Sequence, residues 1–307
     1  MAQLGEAQAT VGQVIQPAVD LAEDAAAARR RTLWARLRRQ RVAMASLVLI
    51  LLFVLAAALA PILAPHNPNF GYDTGLSDSG APLGPSGQFP LGTDVTGRDV
   101  LSRLLFGARV SLTVGVLATA LMVAVGATLG AVAGYFGGWA DAVITRVVDI
   151  MLAFPVVLLG MAAAAILTPS VPATIVVIAA TQWMYMARVV RGEVQSLKER
   201  EFVSAARAVG ATDWRIIVRH IAPHLGPLVI AYAALGVGVS ILLEATLSFL
   251  NAGVPQPTAS WGSMISGGLT YYRTDPALVL YPGLALALVV LAFTLLGDGL
   301  TRALQAR

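Results

Sequence analysis

The sequence predicts an all-α integral membrane protein with six transmembrane helices, and three observations predict it. Of its 307 residues only 12% are charged and 57% are hydrophobic, whereas soluble domains carry about 25% charged residues. The charges are gathered into short stretches between long apolar runs. Those runs have the required length, because about 20 helical residues cross a hydrocarbon core of roughly 30 Å while satisfying their own backbone hydrogen bonds.

The first two spans, Val42 to Ala64 and Val110 to Ala133, contain no charge. Val147 to Leu167 contains only Asp149, and Val171 to Ala187 is shorter and holds Gln182 and Trp183. Leu225 to Leu250 contains only Glu244, and Ala277 to Leu296 contains no charge. An even number of spans puts both termini on one side of the membrane. Arg29, Arg30, Arg31, Arg36, Arg38, Arg39 and Arg41 precede the first span, and Arg188, Arg191, Lys198, Arg200, Arg207, Arg215 and Arg219 lie between the fourth and fifth. By the positive-inside rule both regions are expected in the cytoplasm. The outer segments 65–109, 168–170 and 251–276 hold only Arg98, Arg103, Arg109 and Arg273.

The apolar run after the Arg-rich start is about twice as long as the core of a signal peptide, which predicts a retained anchor. Residues 1–28 read as a cytoplasmic tail. The expected division is a tail at 1–41, a first helix at 42–64, an external loop and interfacial helix at 65–107, a five-helix core at 108–298 and a cytoplasmic end at 299–307. The prolines of 65–96 favour an irregular ordered loop. Val100, Leu101, Leu104, Leu105 and Ala108 then fall at helical spacing. That pattern fits either a helix along the outer interface or an extension of the second span.

Several function classes are excluded. Twenty of the 21 cations are Arg bordering apolar runs, a topology signal rather than a nucleic-acid surface. With no Cys there is no thiol chemistry. His66, His220 and His224 are too scattered for a metal site, and neither His-Glu-x-x-His nor Gly-x-Ser-x-Gly occurs. No catalytic residue is expected. There is no Gly-x-x-x-x-Gly-Lys-Ser/Thr loop either, and Lys198 is the sole lysine. An ion-gradient-driven secondary transporter is the alternative reading, but it predicts matching halves with broken helices, which the sequence lacks.

The stretch from Glu201 to Pro223 has its own physical logic. Ser204, Ala205, Ala206 and Ala208 give a thin helix, Gly210 permits a turn, and Thr212 or Asp213 can cap a second helix. The expected product is a helix-turn-helix handle whose small residues allow close approach to a partner, with Phe202 and Val203 as apolar anchors. This stretch resembles the coupling loop, or EAA motif, of ABC importer permeases, with Gly210 and Pro223 at the expected separation.

Further motifs resemble the C-type permeases of the dipeptide/oligopeptide family. They are Leu91-Gly92-Thr93-Asp94, the run from Gly97 to Leu112, Gly134-Tyr135-Phe136-Gly137-Gly138-Trp139, Asp149 to Pro155, Leu243 to Leu250, and Pro257 with Ser260-Trp261-Gly262. The resemblance implies a type I importer fold, with residues 196–223 as coupling loop and Phe202, Val203, Ser204, Ala205, Ala206, Gly210, Asp213 and Pro223 coupling the chain to an ATPase. The implied partners are a homologous B-type permease, two ATPase subunits or a fused one that use ATP and Mg²⁺, and an external substrate-binding protein. No cofactor is expected on this chain. Ser204 stands where the family commonly has Glu, and Asn251 where Gly is usual, although Asn tolerates a left-handed backbone.

Asp149 and Glu244 are ionisable groups inside apolar runs, and such groups are costly enough to suggest a role. Both are candidates for a translocation pathway or a subunit interface, with a helix-end position or structural pairing as the alternative. Gly126, Gly130, Gly134 and Gly138 recur every four residues and predict close helix packing within the chain. Pro155, Pro169, Pro172 and Pro282 predict kinks or span ends.

Overall fold

Residues 35–305 are described in a computed structural model; the tail at 1–28 and Arg29 to Arg31 lie outside the described residues. The chain folds as α1 (Arg41–Ala58), the short α2 (Ala60–Leu63), α3 (Val100–Phe136), α4 (Gly138–Leu152), α5 (Val156–Ile166), α6 (Val171–Leu197), α7 (Glu201–Ala208), α8 (Asp213–Phe249), α9 (Trp261–Gly268) and α10 (Ala277–Gln305). Among the described residues there is no strand, only two isolated bridges. Helices α1, α3, α6, α8 and α10 are long and apolar enough to cross a membrane, and α4 with α5 supplies a sixth crossing if taken as one bent pair.

Three expectations are refined. The third span is not a straight helix, because α4 and α5 meet at 97° across Ala153 to Pro155. Pro155 has no N–H for the helical ladder, and it stands as the cap before α5. Second, there is no separate interfacial helix at 100–107. Those residues are the first two turns of α3, whose 37 residues span about 55 Å at the α-helical rise. Third, α6 continues ten residues past Ala187 to Leu197.

The helices run between two ends. Residues 65–99 and 250–276 gather at the loop end, and residues 196–223 form the handle end. On α1 only Ala43, Ser46, Ile50 and Ala57 are buried, while Leu51, Leu52 and Leu55 are each more than half exposed. A continuous apolar face of this kind is stable against lipid and not against water. The small residues sit where backbones approach. A Cβ on Gly126, Gly130 or Gly134 of α3 would come within 2.5, 2.5 and 2.7 Å of the carbonyl oxygens of Trp183, Ala187 and Arg191 on α6. The four-residue glycine spacing is therefore intrachain packing for these three. Gly138 contacts nothing this way and instead takes a positive φ at the start of α4.

The irregular loop predicted at 65–96 is ordered by side-chain bonds. Asp99 caps α3 by accepting from the Ser102 N–H at 2.8 Å. Asp94 accepts from the Arg98 side chain at 2.8 Å and pairs with Arg103 at 3.2 Å. Arg103, 1% exposed, also donates to the carbonyls of Pro68 at 2.8 Å and Pro257 at 3.2 Å. One guanidinium thus joins the loop before α3 to the loop before α9. The Arg103→Ala chain will lose about 3 kcal/mol, seen as a lower unfolding midpoint in detergent. Unchanged stability would show that the two loops are held by their backbones alone.

Candidate functional site: the handle and its seat

Helix α7 ends in a turn that its sequence dictates. The Ala211 N–H bonds to the Ala206 carbonyl at 3.0 Å and the Gly210 N–H to the Arg207 carbonyl at 2.9 Å. This double closure places the residue after the helix cap in the left-handed region. Gly210 occupies that position with φ of 81°. Any other L-residue is strained there. Thr212 then takes the N-cap position of α8, although its side chain makes no capping bond.

The handle is seated on the chain's own core. Val203 is fully buried and Ala206 is 7% exposed, packed in one cluster with Tyr135, Val190, Val194, Leu197, Ile216, Ile217 and Ile221. The expectations that Val203 anchors a partner and that Ala206 lies on the face a partner approaches are therefore corrected, since the amphipathic α7 turns both residues inward. Phe202 is half-buried and stacks on His224 at 4.9 Å. Ser204, Ala205, Gly210, Asp213 and Pro223 are exposed. Around them the handle presents Val209, Trp214 and Val218, which are 84%, 63% and 51% exposed. Arg207, Arg215 and Arg219 are also exposed. Sequence reasoning missed this apolar trio, because periodicity alone could not say which stripe of a short helix faces inward.

A second feature was not legible in advance. Residues Ile216–Ile221 of α8 form a π-helical turn. The π turn is a wide i to i+5 bonding pattern that is frequent at functional sites. Pro223 follows it in the first turn of the regular helix. It cannot donate to the ladder, and the helix changes type there without a break.

Tyr135, at the end of α3, joins the handle to the bundle. Its hydroxyl donates to Asp213 at 2.6 Å, and the Arg207 guanidinium lies 5.6 Å from its ring centre. Lys198 donates to the terminal α3 carbonyls of Gly134 at 3.4 Å and Tyr135 at 3.2 Å. A cation there satisfies exposed carbonyls and the negative end of the helix dipole.

Glu244 is fully buried within the chain. Its two oxygens accept from Ser111 on α3 and Ser248 on α8, each at 2.7 Å, and Ser248 accepts in turn from the Val254 N–H at 3.0 Å. The expectation that Glu244 faces a pathway or a partner is corrected: it is the centre of an internal polar cluster joining α3, α8 and the loop after α8. Asp149 lies near the end of α4 and pairs with Arg188 of α6 at 2.8 Å on an open face. About two turns earlier on α4, Asp141 pairs with Arg191. Asn251 adopts φ of 59° after α8, the left-handed conformation expected of it.

Apolar crossings with lipid-suited outer faces, joined to a compact helical handle with one open face, define a multi-pass membrane protein. The chain belongs to the family of binding-protein-dependent transport system inner membrane components, whose model matches residues 126–307. The model for the N-terminal TM domain of oligopeptide transport permease C matches residues 29–82. The chain is 40% identical over 282 residues to the dipeptide transport system permease protein DppC of Alkalihalophilus pseudofirmus, covering 90% of each chain. It is 38% identical over 279 residues to the glutathione transport system permease protein GsiD of Pectobacterium atrosepticum, covering 90% of this chain and 91% of the relative. For GsiD of Escherichia coli the identity is 39% over 276 residues and the coverage 89% of each. The C-type permease resemblance read from the sequence is thus borne out, and the protein is an ABC importer permease.

Proposed function

We propose that this chain forms half of the channel of an importer for di- and oligopeptides in the bacterial inner membrane, paired with a B-type permease and driven by separate ATPase subunits. The peptide cargo is supported by the names of the relatives, dipeptide and glutathione permeases. The observation that carries the coupling role is the handle's face: Val209, Trp214 and Val218 stand exposed on a projection whose other side is buried in the bundle. An exposed aromatic on a handle that also exposes Arg207, Arg215 and Arg219 fits a groove on a water-soluble partner better than it fits lipid, because large aromatic anchors with a polar rim dominate protein interfaces.

In this reading the handle end, with both termini, is cytoplasmic and takes up the closing motion of the ATPases, which hold ATP and Mg²⁺. Alternating access then opens the bundle to one side at a time. The loop end receives the substrate-binding protein, and Asp149 with Arg188 faces the pathway or the neighbouring permease. The absent Glu at Ser204 leaves docking intact, since Ser204 is exposed beside an apolar contact that needs no carboxylate.

The test is co-purification of the complex and ATP-dependent peptide uptake in proteoliposomes. Trp214→Ala will weaken ATPase association by about tenfold to a hundredfold, the range for loss of an interface anchor of roughly 2 kcal/mol. Gly210→Pro will abolish uptake with the chain still in the membrane, since Pro cannot take a positive φ or donate the turn's bond. Wild-type uptake in both variants would refute the coupling role.

A further inference from the structure

One hydroxyl, that of Tyr135, hydrogen-bonds the end of α3 to the start of α8. We propose that Tyr135 is a positioning residue for transport, its hydrogen bond to Asp213 pinning the start of α8 to the α3–α6 pair so that the handle and those spans move as one body. This rests on the reading of the handle as the ATPase contact.

The handle is attached to the bundle by covalent chain at two places. It begins where α6 runs into α7 through Lys198 to Arg200, and it leaves through α8, whose π turn at Ile216–Ile221 lies between Asp213 and the membrane-crossing part. Helix α3 has no such covalent link to the handle, although it is the closest partner of α6 through Gly126, Gly130 and Gly134. Helix α3 therefore feels the handle through its packing on α6 and through side chains at its own end. Tyr135 is where they meet: it is 5% exposed, it belongs to the apolar cluster that seats Val203 and Ala206, and its hydroxyl reaches Asp213. Arg207, one turn before the handle's bend, covers its ring, and Lys198 secures the α3 carbonyls beside it.

The placement of the bond decides where bending falls. Asp213 is next to Trp214 and ahead of the π turn. With the bond made, a push on the Trp214 face carries α3 and α6 along, and the strain is taken by the π turn, where the regular i to i+4 ladder is interrupted. With the bond absent, the bend shifts to the Gly210 turn, and the handle can swing while α3 stays behind. The bond is charge-assisted, the class of hydrogen bond that contributes most, and its Tyr135 end is buried while its Asp213 end is open to water.

Tyr135→Phe removes only the hydroxyl and keeps the ring. In the assembled transporter in proteoliposomes, Tyr135→Phe and Asp213→Ala are each expected to lower peptide uptake per ATP hydrolysed by about tenfold, and in Tyr135→Phe, which lies off the docking face, the ATPase subunits co-purify as in the wild type. Asp213→Asn keeps an acceptor oxygen and is expected to retain coupling, a rescue that a purely structural role for Tyr135 does not predict. Wild-type coupling in Tyr135→Phe overturns the proposal. Loss of ATPase association in that variant also overturns it, because the hydroxyl would then shape the docking face instead of transmitting motion. If the wild-type chain and Trp214→Ala hold the ATPases equally well, it is the docking reading that fails and not the bond.

Discussion

Glu244→Ala will lower the stability of the chain by about 2–4 kcal/mol, since it strands the Ser111 and Ser248 hydroxyls and leaves a cavity between α3 and α8. The loss is large for one side chain because the group is wholly enclosed and bonded at both oxygens. It is limited because each serine can turn its hydroxyl to a carbonyl of its own helix. The expected signature is a detergent unfolding midpoint lower by roughly 5–10 °C, with uptake per assembled complex close to wild type. Glu244→Gln keeps two polar atoms in place and is expected to lose about 1 kcal/mol. A variant of normal stability that assembles fully and yet fails to transport would instead put Glu244 in the pathway and contradict the enclosed geometry.

Gly130→Leu is expected to part α3 from α6. A Cβ at Gly130 stands 2.5 Å from the Ala187 carbonyl oxygen and 3.0 Å from its Cα. Both are backbone atoms with no rotamer to yield, so the helices must separate and the neighbouring Gly126 and Gly134 contacts open with them. Overpacking a core costs about 1–3 kcal/mol where side chains can shift, and here the cost lies at or above the top of that range. Protease resistance and the unfolding midpoint of the purified chain measure it. The control is Gly192→Ala on α6, where an added Cβ meets nothing within 4 Å. That change is expected to be neutral or to stabilise by up to about 1 kcal/mol through helix propensity. A Gly130→Leu chain as stable as wild type would show that the α3–α6 approach is not a stabilising contact.

Much of the architecture could be read in advance because a bilayer imposes a length and a composition that no other solvent does. The spans at Val42, Leu225 and Ala277 correspond to α1, α8 and α10, and the short apolar run at Val171 became the well-formed α6. The bend between α4 and α5 was marked by Pro155, but a proline gives the place of a break and not its angle. The turn at Gly210 was legible from Gly followed by capping residues, and its positive φ follows. The inward or outward sense of Val203, Ala206 and Glu244 was not. Each of those depends on which neighbour stands opposite, and Ser111 is 133 residues away from Glu244.

Composition and spacing alone therefore determined that the chain crosses the membrane about six times, where its turns lie, and that a projecting helical handle separates the fourth and fifth crossings. Those features follow from local backbone rules and from the absence of water in the bilayer, both of which act residue by residue. Only the tertiary structure decided that Glu244 is enclosed, that the handle's anchors face its own core, that Trp214 and its neighbours form the open face, and that Tyr135 bonds Asp213. Those are pairings between distant segments, and a pairing energy exists only once both partners have been brought together by the fold.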